Sequence, residues 1–166
     1  MKITTVQTER LILRQWHEKD FEHYAIFYQN NLDAKYVGGQ KDREGAWRNL
    51  TMLIGHWQLN EFGYYAVEEK STKKFVGCVG LWKSPAWPEL ELGYWLVSEA
   101  RGKGYAHEAG QQCLELARDS LKAKSLVSYI DPRNNASKKV ALSLGARYED
   151  TITLHTHGPH CVFRYF

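Results

Sequence analysis

The sequence predicts a mixed α/β domain that spans residues 1–166, with about seven strands and about four helices. Three observations support this fold class. A chain of 166 residues has the length of one domain and can enclose both a core and a cleft. Segments in which apolar residues alternate with period two are interspersed with segments in which they recur at helical spacing. In the second half of the chain a strand leads through a glycine-rich loop into a long helix and a further strand.

The first half of the chain predicts a strand, two helices and a hairpin. Residues 11–13 are a short apolar run between arginines, which favours a strand. A helix is expected over residues 20–28, because its first residue, an aspartate, is a good N-cap. Apolar residues recur at helical spacing through residues 44–59 and indicate an amphipathic helix. Residues 64–68 and 75–82 read as two strands of a hairpin, since a short polar turn separates them.

The second half predicts alternating strands and helices. Residues 90–97 alternate with period two and are expected to form a strand. Small and apolar residues line one face of a helix over residues 106–121, and residues 126–130 form a short buried strand. A helix over residues 134–144 ends at the glycine that follows it. The tail, residues 147–166, reads as two strands around a loop.

Composition and charge exclude several classes of protein. The formal net charge is only +3 and no stripe of lysine and arginine is present, so we expect no nucleic-acid partner. No apolar run approaches the roughly 20 residues that span a bilayer. Charges interrupt the apolar run near the N-terminus, so we expect no secretory signal and no membrane partner. Cys78, Cys113 and Cys161 are far apart in the sequence, which argues against a disulfide framework and favours a cytoplasmic location.

The glycine-rich loop Arg101-Gly102-Lys103-Gly104 is the most informative short segment. Glycines let backbone N–H groups turn towards a ligand, and the start of the following helix adds unpaired donors and a positive dipole end. Together these features are typical of a phosphate site. The Walker pattern is absent because Gly104 follows Lys103, and the dinucleotide pattern is absent because its third glycine position is His107. The spacing alone leaves phosphate binding and a tight surface turn as alternatives.

Three motifs give the chain a family resemblance. The strand E-L-G-Y-W-L-V and the loop R-G-K-G-Y-A, both within residues 90–109, resemble motif A of the GCN5-related N-acetyltransferases (GNAT). T-E-R-L-I-L-R-Q-W at residues 8–16 resembles the opening strand of the RimJ/RimL-like branch, which includes ribosomal-protein N-terminal acetyltransferases. N-N-A-S-K-K-V-A-L-S-L-G-A at residues 134–146 resembles the N-x-x-S-x-x-V-x-x-x-x-G helix of that branch. The three motifs occur in order along most of the chain.

The resemblance implies the GNAT fold, with a mostly antiparallel sheet whose central strands splay apart to admit acetyl-CoA. The pantetheine arm would pair with the strand end at residues 96–98, and the pyrophosphate would contact the N–H groups of residues 101–106. The wider family has Gln or Arg where this chain has Glu99, so Arg101 is expected to supply the charge instead. The residues that the resemblance places against the cofactor are Leu96, Val97, Ser98, Arg101, Gly102, Lys103, Gly104, Tyr105, Ala106 and Asn134.

The implied reaction moves an acetyl group from acetyl-CoA to a primary amine by direct attack in a ternary complex. The amine must lose a proton, and Glu91 is the candidate base, acting through a water molecule. We expect it in the middle of its strand, on the same face as Trp95. The alternatives are a structural glutamate in a salt bridge, or another carboxylate as base: Glu89, Glu68 or Glu69.

Ser137 is the candidate proton donor to the departing thiolate, because it matches the serine of the family's N-x-x-S pattern. A first-turn helix residue that caps the backbone is the alternative for Ser137. Asn134 has the same two interpretations, as the N-cap of its helix or as a contact to the pantetheine. A covalent acetyl-cysteine is disfavoured, since Cys78 and Cys113 fall in an apolar strand and on an apolar helix face.

The histidines near the C-terminus do not predict a metal site. His155, His157 and His160 lie with Cys161 around a Gly-Pro turn, and the sequence offers no further pair of ligands. We therefore expect structural or substrate-facing histidines and no metal cofactor.

The acceptor stays open between a small amine and the α-amino group of a protein or peptide. Glu89, Glu91 and the many aromatic residues favour a compact pocket for a small cation. We expect the oligomeric state to be a monomer or a homodimer. The alternative function is that of a sensor that binds acyl-CoA without catalysis. The aromatic residues in regions that line the acceptor side in relatives are Trp16, Tyr24, Tyr36, Tyr64, Trp82 and Trp87.

Overall fold

A computed structural model describes residues 5–166. Residues 1–4 lie outside the described residues. They begin the N-terminal segment for which we expect no secretory signal. The strands are β1 (Thr5–Gln7), β2 (Leu11–Arg14), β3 (Tyr64–Glu69), β4 (Phe75–Trp82), β5 (Glu91–Leu96), β6 (Val127–Ile130), β7 (Arg147–Thr153) and β8 (Pro159–Arg164). The helices are α1 (Phe21–Gln29), α2 (Asn31–Ala34), α3 (Arg43–Asn60), α4 (Tyr105–Glu115) and α5 (Asn135–Ser143).

The eight strands form one sheet in the order β1-β2-β3-β4-β5-β6-β8-β7. Only β5 and β6 run parallel, because α4 carries the chain between them. This arrangement confirms the predicted mixed, mostly antiparallel α/β fold. Strand β1 and helix α2 are additional to the predicted elements, since three or four residues are too few to show a period. No helix within residues 5–166 has the length and apolar character needed to cross a membrane.

Strands β5 and β6 diverge immediately after they meet. Their register contains a single pair, Glu91 with Val127. On the other edge of β5, the Val97 N–H donates to the Val76 carbonyl at 3.0 Å. Because donors alternate between the two edges of a strand, the N–H groups of Tyr94 and Leu96 point away from β4 and into the gap. The predicted splay is therefore present.

Helices cover the sheet around this gap. Helix α4 packs across β2, β4 and β5, and α5 packs against β6 and β8. On α1, the Phe27 ring stacks on Trp95 of β5, with ring centres 3.8 Å apart. Helix α4 continues into a π-helical turn at Leu116–Ser120, so the predicted helix extends to about its expected end. The glycine stop after α5 is confirmed, since Gly145 has a φ of 87°.

Asp20 occupies the position expected before α1, but it does not cap that helix. Its carboxylate accepts from the His17 N–H at 2.8 Å and forms an ion pair with Arg14 at 2.8 Å. Arg14 also contacts Glu68 of β3 at 3.1 Å. These three side chains are almost removed from solvent, and the buried arginine satisfies both carboxylates. The aspartate therefore ties the start of α1 to the sheet instead of capping the helix.

Gly80 on β4 predicts a test of how tightly the sheet is packed. A Cβ there would lie 2.3 Å from the Gly63 carbonyl oxygen, which is backbone and cannot move aside. Gly80→Ala should destabilise the protein by about 1–3 kcal/mol in urea unfolding. Gly55→Ala, in α3 with nothing within 4 Å, is the matched control and should stabilise by about 0.5–1 kcal/mol. Equal effects of the two substitutions would contradict the packing of β3 against β4.

Candidate active site

A cavity of about 420 Å³ opens where β5 and β6 diverge. Its walls come from β3 to β6, from α1, α3 and the start of α5, and from the loops before α3, between β4 and β5, and between β7 and β8. This volume is typical of sites for small molecules, which occupy about 300–1,000 Å³. Both predicted catalytic residues, Glu91 and Ser137, line it.

Glu91 is the first residue of β5, so the expectation that it lies in the middle of its strand is wrong. The segment before Glu91 folds as a turn and a bend, and β5 begins one residue later than predicted, although the Leu90 carbonyl already accepts from the Val127 N–H at 3.1 Å. Glu91 pairs with Trp82 of β4 on one side and with Val127 of β6 on the other. The carboxylate therefore lies at the point from which the two central strands diverge.

The Glu91 carboxyl group is buried, with 8% of the residue exposed. Burial raises its pKa from 4.5 to about 7, because the charged form loses its hydration. The Trp87 indole Nε1–H donates to Glu91 Oε2 at 2.5 Å, and this bond and the Tyr129 backbone act in the opposite direction, lowering the pKa. A carboxyl group with this pKa exchanges a proton near neutral pH.

The rival carboxylates are engaged elsewhere. Arg164 binds Glu89 through two hydrogen bonds of 2.9 and 2.8 Å, and this pairing lowers the pKa of Glu89 to about 2. Glu68 pairs with Arg14, and Glu69 accepts from the Tyr105 hydroxyl. Of these four glutamates, Glu91 alone lines the cavity.

Ser137 and Asn134 form a small hydrogen-bonded unit at the start of α5. Asn134 is the N-cap, and its Oδ1 accepts from the Ser137 N–H at 3.2 Å. Its Nδ2 donates to Ser137 Oγ at 2.9 Å. Among residues 5–166, no acceptor takes the Ser137 hydroxyl proton. The capping role therefore leaves that proton available to a ligand in the cavity.

Tyr94 fixes the position of this unit and was not predicted from the sequence. Its hydroxyl donates to the Ser137 carbonyl at 2.7 Å, which joins β5 to α5 across the gap. The period of the strand predicts on which face Tyr94 lies. The α5 carbonyl that it reaches is 43 residues further along the chain, so no local pattern could identify the contact.

The glycine-rich loop is exposed and has the backbone shape of an anion cradle. Gly102 and Gly104 have φ values of 73° and 81°, a region that other residues rarely adopt. Within the described part of the chain, the N–H groups of residues 102–107 have no protein acceptor. The Arg101 N–H, in contrast, donates to the Ser98 carbonyl at 3.2 Å. The free donors thus begin one residue later than the resemblance implies.

Two arginines hold the loop and its surroundings. The Arg101 side chain donates to the Leu96 carbonyl at 3.0 Å and pairs with Asp33 of α2 at 2.7 Å. Arg10 donates to the Lys103 carbonyl at 2.9 Å and to Glu108 of α4 at 2.7 Å. Arg10 belongs to the segment at residues 8–16 that resembles the family. Its role was not predicted, because 98 residues separate it from Glu108.

The cysteines and histidines that could take part in chemistry differ in whether they line the cavity. Cys78 and Cys113 are buried, and burial raises the pKa of both thiols, to about 12 for Cys113. Cys113 is a packed thiol, whereas Cys78 lines the cavity with a thiol that burial keeps protonated. His157 and His160 line the cavity, whereas His155 does not. No group of three or more potential metal ligands occurs within residues 5–166.

Most of the aromatic residues expected on the acceptor side do line the cavity. Trp16 is the exception, since its indole donates to the Tyr64 carbonyl at 2.9 Å and packs in the core. The aromatic residues that line the cavity as expected are Tyr24, Tyr36, Tyr64, Trp82 and Trp87.

Comparisons with known proteins agree with this architecture. The family profile described as "Acetyltransferase (GNAT) domain" matches residues 10–147. The Bacillus subtilis protein YkkB is 30% identical over 156 residues, which cover 90% of this chain and 88% of YkkB. An acetyltransferase from Agrobacterium tumefaciens has a crystal structure similar at a TM-score of 0.91 and 30% identity, covering 100% of this chain and 96% of that one.

The structural similarity extends to the RimJ/RimL branch. Mycobacterium smegmatis RimJ, solved in complex with CoA-disulfide, has a TM-score of 0.75 and 16% identity. The alignment covers 96% of this chain and 86% of that one. At this identity the similarity shows the fold alone.

The buried carboxyl group of Glu91 predicts how stability depends on pH. Its folded-state pKa of about 7 lies above the ordinary value of 4.5, so the stability it contributes is present below pH 4.5 and lost as pH rises through 7. Glutamine does not titrate. Relative to wild type, Glu91→Gln should therefore gain about 3 kcal/mol of unfolding free energy between pH 4.5 and 8, measured in urea.

The matched control is Glu89→Gln. The pKa of Glu89 is lowered to about 2, so this carboxylate is already ionised across that pH range. The difference in unfolding free energy between Glu89→Gln and wild type should therefore stay constant between pH 4.5 and 8. A flat difference for Glu91→Gln as well would show that Glu91 is not desolvated in the folded protein.

Proposed function

This chain belongs to the GNAT acetyltransferase family, and we propose that it transfers an acetyl group from acetyl-CoA to a primary amine by direct attack in a ternary complex. The family makes the protein an acetyl-CoA-dependent acyltransferase. The observation that carries the proposal is Glu91, a buried carboxyl group with a pKa of about 7 in the same cavity as the free hydroxyl proton of Ser137. A base and an acid therefore share one site.

The loop and the strand gap fit the cofactor. Free N–H groups at residues 102–107, at the start of α4, favour a pyrophosphate. The Leu96 N–H points into the gap, where the extended arm of a ligand could pair with it. Bound acetyl-CoA supplies the acetyl thioester. The residues that we propose hold it are Leu96, Val97, Ser98, Arg101, Gly102, Lys103, Gly104, Tyr105, Ala106 and Asn134.

Glu91 is proposed to take the proton from the attacking amine through a water molecule. A base is most effective when its pKa lies near the working pH, and burial places the pKa of Glu91 there. The Trp87 indole donates to one carboxylate oxygen and so fixes the orientation of the carboxyl group. Trp87 is therefore a positioning residue for the base.

Ser137 is proposed to donate a hydrogen bond to the departing thiolate and to relay a proton to it, with the serine proton replaced from solvent so that the hydroxyl is restored. Asn134 donates to the serine oxygen, so the hydroxyl proton is directed away from Asn134. Tyr94 holds the backbone of the same residue from across the gap. The hydroxyl group is thus fixed in place without consuming its proton.

Glu91→Gln should lower kcat by at least about 100-fold, the usual contribution of a general base. In the wild-type enzyme, kcat/KM should rise with pH through about 7, because only the ionised carboxylate accepts a proton. The variant should lose this rise while its affinity for CoA, measured by calorimetry, stays close to wild type. Glu89→Gln is the control and should keep both the rate and the profile. An unchanged pH profile in Glu91→Gln would assign the base to another group.

Ser137→Ala should lower kcat by about tenfold or more and leave the Kd for CoA within about twofold. The rate of free-thiol release from acetyl-CoA measures kcat, and calorimetry measures the Kd for CoA. Ser143→Ala is the matched control, because it lies on the same helix and its hydroxyl donates to the Val140 carbonyl. Turnover equal to wild type in Ser137→Ala would leave the serine with a structural role only.

The activity itself is tested by thiol release from acetyl-CoA, with mass spectrometry of the products. One panel holds peptides with free N-termini and the other holds small amines. Acetylated product from either panel supports the proposal and identifies the acceptor class. Tight CoA binding without turnover on either panel would refute transferase activity on these acceptors and favour an acyl-CoA sensor.

A further inference from the structure

Lys41 places a positive charge on the wall of the cavity. It lies between α2 and α3, and its backbone N–H donates to the Tyr28 carbonyl at 2.8 Å. Its ammonium group donates to the Gly38 carbonyl at 2.8 Å and lies 5.1 Å from the centre of the Tyr28 ring. The ammonium is therefore held in one place by the backbone of its own loop and an aromatic face.

This charge has no counter-charge among residues 5–166. Within residues 5–166, Lys41 forms no ion pair with a carboxylate. Partial burial lowers its pKa, as expected for a cation that loses hydration without gaining a partner. Among the described residues that line the cavity, it is the one lysine or arginine. An anionic ligand would supply the missing partner.

His157 connects the lysine to the proposed base. Its ring packs edge-on against Trp87, with ring centres 5.3 Å apart, and Trp87 donates to Glu91. Burial lowers the pKa of His157, and the nearby His160, His155 and Lys41 lower it further, which favours the neutral imidazole. Trp87 thus contacts both Glu91 and His157, Lys41 is near enough to His157 to lower its pKa, and all four residues line the cavity. A neutral imidazole can donate one hydrogen bond without adding charge.

The remaining carboxylates do not favour a second cation in the acceptor. Glu89 pairs with Arg164 and does not line the cavity, whereas Asp131 does line it and has its charge balanced by Arg133 at 2.9 Å. A diamine with one amine at Glu91 would bring its other ammonium group towards an unpaired lysine. A carboxylate at the same place would be attracted instead. The sequence favours a small cationic acceptor, and the charged side chains that line the cavity do not support that prediction.

We propose that the acceptor is a small amino acid-like molecule, whose amine faces Glu91 while its carboxylate is received by Lys41 and His157. This inference rests on the proposed function and names its substrate class. A carboxylate matches one lysine and one neutral donor. A phosphate group usually requires an arginine fork or a backbone cradle, as in the loop at residues 101–106. The cavity of about 420 Å³ suits a molecule of this size.

The test compares carboxylates with their neutral counterparts. The common L-amino acids, β-alanine and 4-aminobutyrate are each assayed for acetyl transfer beside the corresponding carboxamide. For at least one pair, the wild-type kcat/KM for the acid should exceed that for the carboxamide by about tenfold or more, the usual effect of a charge-assisted hydrogen bond. The carboxamide has less of its amine protonated at pH 7, so intrinsic reactivity favours the opposite order.

Variants at Lys41 separate specificity from structure. Lys41→Met should reduce kcat/KM for the acid by about tenfold, mainly through KM, and change that for the carboxamide by less than about twofold. Lys41→Arg keeps the charge and should retain most of the preference. Lys35→Gln is the matched control, because its ammonium lies 5.1 Å from the Tyr36 ring but outside the cavity. It should behave as wild type.

The outcomes distinguish this inference from the proposed function. Equal transfer to acids and carboxamides, or to diamines and peptides only, would overturn the inference and leave an N-acetyltransferase. Equal losses on acids and carboxamides in Lys41→Met would give the lysine a structural role and also overturn it. Transfer to no amine at all would overturn the proposed function, and this inference with it.

Discussion

The divergence of β5 from β6 is the constraint on which the rest of the site depends. The two strands share one pair, Glu91 with Val127, and then separate. A parallel pair that continued would consume the N–H groups of Tyr94 and Leu96 and fill the cavity. Because it stops, one strand presents a buried acid at its start and free backbone donors towards its end. The cavity, the cradle and the helix with Ser137 are arranged around that opening.

Burial and pairing divide the carboxylates near the opening into two groups. Arg164 lowers the pKa of Glu89 to about 2, whereas no cation within residues 5–166 pairs with Glu91 and burial raises its pKa to about 7. Two glutamates two residues apart therefore have opposite electrostatic environments. The cations divide in the same way into paired and unpaired groups. Arg133 pairs with Asp131, whereas Lys41 pairs with no carboxylate of the described residues. The unpaired Glu91 and Lys41 both line the cavity, together with Asp131, whose charge Arg133 balances. A charged ligand in the cavity would therefore meet one titratable acid and one cation without a carboxylate partner.

The fold could be predicted largely from periodicity, and the site only in part. The long helices, the hairpin at residues 64–82 and the glycine stop after α5 follow from local patterns, and the structure has them. The expected position of Glu91 in the middle of β5 was wrong, because periodicity predicts the face on which a residue lies but not where pairing begins. The roles of Arg10 and Tyr94 depend on partners 98 and 43 residues away, and no pattern within a segment carries that information. Lys41 was missed because a single lysine in a loop has no sequence signature.

The contact of Arg10 with the Lys103 carbonyl bears on the entropy of ligand binding. A loop with two glycines loses more conformational freedom on ordering than other loops, and a ligand that ordered it would have to offset that cost. Here the first turn of α4 and the carbonyl between the two glycines are already held by an arginine from the far end of the chain. The free N–H groups are thus preorganised before any anion arrives, and more of the interaction energy appears as affinity.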